Sequence, residues 1–100
     1  MEYITITGIQ HYFGLEAFKV NQILWVKKDL DNEYDDEAIK VVTDAGIVCG
    51  YVANSIYTVA RGTKSAGRIY DRFETKCKIM VKFITKHEVI AQLIFEQEEI

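Results

Sequence analysis

The sequence predicts a mainly β domain: a small, mostly antiparallel barrel of about six strands, with one or two short helices between the fourth and fifth. Three observations carry this expectation. Apolar residues recur at every second position in residues 3–9 and 76–86, the mark of half-buried strands. Turn signals such as Asp44-Ala45-Gly46 separate the short apolar runs, as hairpins require. A helical period shows only between Asn54 and Phe73, and many short strands with so little helix suit a closed sheet.

Taken in order, Ile4 and Ile6 alternate with Tyr3, Thr5 and Thr7 in the first strand. The aromatic segment Gln10-His11-Tyr12-Phe13-Gly14 is expected to leave that strand at Gly14. Residues 22–28 form a buried strand that ends in the solvated, basic pair Lys27-Lys28. Residues 38–43 form the next strand, and residues 47–52 return after the hairpin. Gly50 inside that return points to a bulge, a bend or a close approach by another group. Asn54 or Ser55 can cap a helix that places Ile56, Val59 and Ala60 on one face and stops at Gly62. Ser65 caps a second, with Ala66, Ile69, Tyr70 and Phe73 at i, i+3, i+4 and i+7. Its opposite side carries Lys64, Arg68 and Arg72 at four-residue spacing, with Arg61 one turn earlier, the densest cationic stripe in the chain. As a default, such a stripe is a solvated helix face. In residues 76–86, Cys77, Ile79, Val81 and Phe83 point one way while Lys76, Lys78, Lys82 and Lys86 point the other, the pattern of an edge strand guarded by lysine. Lys86-His87 then turns into a strand over residues 88–95, and residues 96–100 are expected to fray.

Composition bounds the function. A chain of 100 residues with 49% hydrophobic and 27% charged residues is one folded domain with a single modest core. No apolar run is long enough to cross a bilayer as a helix, and residues 1–5 lack the features of a signal peptide, so a cytoplasmic location is expected. Cys49 and Cys77 lie in strand-like runs and read as reduced core residues. With His11 and His87 they have no ligand spacing, so no metal and no cofactor are expected. Asp35, Asp36 and Glu37 cluster without a complementary base, and no phosphate-cradling glycine loop is present, so the chain does not read as an enzyme. A net charge of −3 is unlike a protein that coats duplex DNA, although a local basic patch remains compatible with it.

The stretch from Leu30 to Val42 is the most informative. It starts as an acidic turn, Asp31-Asn32-Glu33-Tyr34-Asp35, and passes directly into a strand. Asn and Asp stabilise such turns through local backbone bonds, whereas an aromatic there is unusual. Either the turn simply closes, with Tyr34 packed on Trp25 or Tyr51 and Asp35 accepting backbone amides, or the ring and the acid serve a ligand.

The pattern Gly8-Ile9-x-His11-Tyr12-x-Gly14, then Asp31-Asn32-x-Tyr34-Asp35-x-x-Ala38-Ile39-Lys40-Val41, then Gly50-Tyr51-Val52 resembles the HIRAN domain. That module occurs in SWI/SNF-type helicases, including the helicase-like transcription factor, and as small free-standing bacterial and phage proteins. Together the motifs cover roughly residues 3–73, and Ser65-Ala66-Gly67-Arg68-Ile69-Tyr70-Asp71 resembles the free-standing bacterial branch. The resemblance implies an oligonucleotide-binding-like barrel over the whole chain, with a C-terminal hairpin at about residues 76–96. It also implies a non-catalytic module that receives the 3′ end of single-stranded DNA during repair, replication or processing. Its partners would then be single-stranded DNA, a helicase or nuclease, and a second copy of the chain. By motif, Tyr34 would stack on a terminal base, Asp35 would accept from the 3′ hydroxyl, and Asn32 would shape the turn or touch the nucleotide. His11 and Tyr12 would face them as an aromatic wall, with Gln10 beside the phosphate. Three departures weaken the case for affinity: Gln10 stands where arginine is usual, His11 where tyrosine is, and Glu33 where proline is. Lys27, Lys28, Arg61, Lys64, Arg68 and Arg72 would compensate if they border the same cleft. The alternative is a protein-interaction or oligomerisation module that keeps the fold without binding DNA.

Overall fold

The alternating apolar residues fill the inside of a closed sheet. Ile4, Ile6, Leu24, Val26, Ile39, Val41, Ile79, Val81 and Val89 are almost wholly inaccessible, and burying each aliphatic side chain of this size favours folding by about 1.5–3 kcal/mol. The protein is described by a computed structural model covering residues 1–95. Six strands, β1 (Tyr3–Thr7), β2 (Ile23–Lys28), β3 (Ile39–Val42), β4 (Val48–Val52), β5 (Lys76–Ile84) and β6 (Val89–Ile94), close in the order β1-β4-β3-β2-β5-β6, all pairs antiparallel. The expected six-stranded barrel is the fold. The helix α1 (Ala66–Ile69) and a 3-10 turn at Tyr70–Arg72 lie between β4 and β5. Ser65 caps α1 as expected, its Oγ accepting from the Arg68 N–H at 3.3 Å. Residues 96–100, expected to fray, lie outside the described residues.

The structure corrects the local readings in four places. β1 ends at Thr7 rather than at Gly14, because Gly8 turns left-handed at φ 69° and a 3-10 turn follows at Ile9–His11. The helix expected from Asn54 to Gly62 does not form, and Ile56 is 88% exposed. Only one turn closes within it, where the Thr58 and Val59 amides both donate to the Ser55 carbonyl at 2.9 Å. Ala60 is drawn to β1 instead, donating to Thr5 Oγ1 at 3.0 Å, and the flanking residues follow: Ala53 donates to the Thr5 carbonyl at 2.8 Å and Lys64 to the Tyr3 carbonyl at 2.7 Å. The segment therefore lies along the outside of β1, which explains why Thr5, on the polar side of the alternation, is 1% exposed. Phe83, expected inside, is 59% exposed. The pairing slips between Val81, opposite Ala91, and Phe83, opposite Ile90. The inserted Lys82 thus reverses the side-chain phase of everything beyond it. Finally, β5 is not an edge strand. It pairs with both β2 and β6, so its lysines guard nothing, and the Lys76 and Lys78 ammonium groups lie 4.6 and 5.5 Å from the Trp25 ring.

Candidate nucleic-acid interface

The connection between β2 and β3 folds around one side chain, Asn32. Its Oδ1 accepts from the N–H groups of Tyr34 at 2.9 Å and Asp35 at 3.0 Å, the bond pattern that lets Asn mimic a backbone turn. Asp35 Oδ1 repeats the device and accepts from the Glu37 N–H at 2.9 Å. Asp29 ties the two ends together by donating its N–H to the Ala38 carbonyl at 2.9 Å. With the backbone held this way, Tyr34 is thrown outward and stands 94% exposed. It packs on neither ring considered for it. Trp25 lies under lysines and donates Nε1–H to Asp44 Oδ1 at 2.6 Å, and Tyr51 faces Tyr12 at a centroid distance of 6.3 Å.

Two further contacts anchor the turn to the barrel. Tyr51 donates its hydroxyl to Asp29 Oδ2 at 2.7 Å. That bond is the main reason the Asp29 carboxyl is held below its ordinary range, against desolvation and with help from Asn32 and Lys40. Burial first, and then Asp29, pushes the Tyr51 phenol up. Asn54 is the second anchor. Its Nδ2 donates to Asp35 Oδ2 at 3.0 Å, and its Oδ1 accepts from the Gly67 N–H in α1 at 2.9 Å. Asn54 thus does cap a helix, but one thirteen residues further on, and by doing so it couples that helix to the turn. Sequence reading missed this role, although Asn54 lies two residues after the Gly50-Tyr51-Val52 motif.

Tyr51→Phe should cost about 1 kcal/mol at neutral pH, the usual worth of one such bond at a partly exposed site. Asp29 titrates lower in the folded chain than in the unfolded one, so its contribution is present above about pH 4 and is lost as pH falls through the folded value. The difference between wild type and variant in urea midpoints should therefore shrink below about pH 4. An unchanged difference at pH 2 would mean that the ionised carboxylate is not the partner.

Around this turn Thr7, Asn32, Tyr34, Asp35, Tyr51, Asn54 and Thr58 line a cleft of about 360 Å³. Each Asp35 oxygen holds one partner, and a carboxylate offers about four acceptor sites, so capacity remains for a ligand hydroxyl. Arg61 and Arg68 line an adjoining cleft of about 420 Å³ that shares Asn54 and Ser55 with the first. The other proposed cations lie elsewhere. Arg72 pairs with Glu2 at 2.7 Å, and Lys64 adds charge near the same Glu2. Lys28 sits 4.3 Å over the Tyr70 ring, and Lys27 is exposed beside Lys40 and Lys76. Tyr12 reaches the first cleft only through Tyr51. Gln10 instead lines a separate hollow of about 370 Å³ with Lys86 and His87, and His11 lies exposed in the 3-10 turn and lines neither cleft. Among the described residues, no three His, Cys, Asp or Glu side chains gather as metal ligands. Cys49 and Cys77 are buried and form no disulfide, and burial pushes the Cys49 thiol up. No helix of the described residues is long and apolar enough to cross a membrane.

No curated protein sequence matches the chain. The crystal structure of a protein from Lactobacillus plantarum aligns with a TM-score of 0.64 at 20% identity, over 93% of this chain and 89% of that one, a likeness of fold. The family model for the HIRAN domain matches residues 1–98, a span that takes in the Asn32 turn and the whole barrel. The chain belongs to the HIRAN domain family, which is consistent with a nucleic-acid-binding module.

Proposed function

We propose that this protein is a non-catalytic module that binds the 3′ end of single-stranded DNA in the cleft beside Tyr34. The observation that carries the reading is a phenol ring 94% exposed on a turn held by side-chain bonds, next to a carboxylate with acceptor capacity left. An exposed ring on a fixed backbone gives a base a stacking surface and leaves only its two side-chain torsions to be ordered. A carboxylate repels an internal phosphate but accepts from a terminal sugar hydroxyl, so the pair favours an end over a continuous strand. Arg61 and Arg68 in the adjoining cleft supply positive charge in place of the arginine that Gln10 replaces. A helicase or nuclease acting at the same end is the kind of partner this role calls for.

In a fluorescence titration, a single strand ending in a 3′ hydroxyl should bind more tightly than the same strand ending in a 3′ phosphate, because the phosphate brings charge against Asp35. Equal affinities would sink the end-recognition reading. A second reading, a protein-interaction or oligomerising module, draws on Ile56, 88% exposed and lining the Arg61 cleft, and its neighbour Tyr57, 90% exposed. It predicts a defined dimer in sedimentation and no DNA binding even at low salt, where electrostatic binding is strongest.

A further inference from the structure

The described part of the chain has a second aromatic and cationic surface, away from Tyr34. Trp25, Phe73 and Phe95 line a groove of about 620 Å³ together with Arg72, Lys76 and Lys78. Each ring there lies under a cation: Lys76 and Lys78 over Trp25 at 4.6 and 5.5 Å, Lys28 over Phe73 at 5.4 Å, and Arg72 over Phe95 at 4.8 Å. Two acids beside it are engaged, Glu2 by Arg72 and Asp44 by the Trp25 indole N–H. Trp25 is only half-buried, which leaves part of a large apolar ring in contact with water.

A continuous outer face joins this groove to the Tyr34 cleft. Strand register places Tyr51, which lines that cleft, opposite Lys40, Lys40 opposite Lys27, and Lys27 opposite Lys76. In-register partners share a face of the sheet, and their sequence neighbours Gly50, Val41, Val26 and Cys77 are buried. The path crosses three strand spacings, about 14 Å in all. Asp29, beside it, is already held by Tyr51 and Asn32. Six of the chain's 12 Lys and Arg residues (Lys27, Lys28, Lys40, Arg72, Lys76 and Lys78) border this path on a protein of net charge −3.

We propose that the Trp25 groove is a second binding site for the same single strand, which runs from the Tyr34 cleft across Lys40 and Lys27 and stacks a base on Trp25. The proposal rests on the end-binding reading for the strand's polarity, while the groove is defined by its own residues. Single-strand binders combine a cationic groove with aromatic stacking platforms, at roughly 4–16 nucleotides per oligonucleotide-binding fold. A base that displaces a lysine ammonium from the indole leaves that ammonium able to meet a phosphate, so the cation contacts are exchanged rather than lost. An acidic peptide would satisfy the lysines but would leave the rings without a stacking partner.

Trp25 is the only tryptophan, so its fluorescence reports on this groove directly. A thymidine strand of about eight nucleotides should quench it and bind more tightly than a thymidine dinucleotide with the same 3′ hydroxyl. The double substitution Lys76→Gln and Lys78→Gln should weaken the longer strand about tenfold at low salt and reduce the slope of log affinity against log salt by about 1.4, or 0.7 for each lost phosphate contact. Dinucleotide affinity should not change. Absence of quenching, equal quenching by hexaglutamate, or a length effect that vanishes with Arg61→Gln and Arg68→Gln instead would each overturn the groove. Quenching by a longer strand that shows no preference for a 3′ hydroxyl would remove the end-binding reading and leave the groove standing. A 3′-hydroxyl preference with no length effect would do the reverse.

Discussion

Tyr34→Ala should reduce affinity for single-stranded DNA by about 1–3 kcal/mol, the worth of one stacked base, or roughly 5- to 150-fold in Kd. The same substitution should leave the urea midpoint unchanged within about 0.5 kcal/mol, because a ring 94% exposed gives up no buried area when it is removed. This separation makes the prediction informative: the turn is held by Asn32, Asp35 and Asn54, none of which depends on the phenol. Tyr34→Phe should keep most of the affinity, since stacking uses the ring face rather than the hydroxyl. If alanine at 34 binds strands as the parent does, the ring has no part in recognition.

Gly50→Ala should cost about 1–3 kcal/mol of folding stability, the penalty for extra volume in a filled interior. A β-carbon at position 50 would lie 2.8 Å from Ile6 Cγ2, 3.0 Å from the Thr7 carbonyl oxygen and 3.2 Å from Ile9 Cγ2. Two of these neighbours belong to β1 itself, and the third begins the 3-10 turn that leads to Tyr12. None is the loose end of a long side chain, so relief requires the strand or the turn to move. Because a domain of this kind keeps only about 5–15 kcal/mol of net stability, the shift in urea midpoint should be large. The Tyr12–Tyr51 pair beside the cleft should be disturbed with it. A variant within about 0.5 kcal/mol of the parent would show that β1 has slack the packing does not suggest.

Gly50 also shows how far the sequence could be read. A glycine within a β-type run points to a close approach, and the approach exists, but the identity of the approaching group depends on β1 pairing with β4 across more than forty residues. The Asn32 turn was legible for a different reason. The side-chain bonds that shape it run between residues two or three apart, so local chemistry was sufficient to suggest the turn, though not its anchors Tyr51 and Asn54. The cationic stripe was legible as spacing and not as placement. Arg61 and Arg68 reach the cleft next to Tyr34, while Arg72 is drawn off by Glu2, seventy residues earlier in the chain.

Strand periods, the hairpin at Asp44-Ala45-Gly46, the capped helix at Ser65 and the Asn32 turn follow from interactions within a few residues, and the amino-acid order determines them alone. Closure of the barrel decided the rest. It left β5 without an edge for its lysines to guard. It turned Phe83 outward through one inserted residue, and it gave the amides of Ala53, Ala60 and Lys64 acceptors on β1, which holds the segment between them against that strand. It also brought Asn54 against Asp35, and Trp25 under Lys76 and Lys78. The physical reason is the same in each case: a backbone amide or a side chain takes the best partner within reach, and only the folded sheet determines which distant partners are within reach.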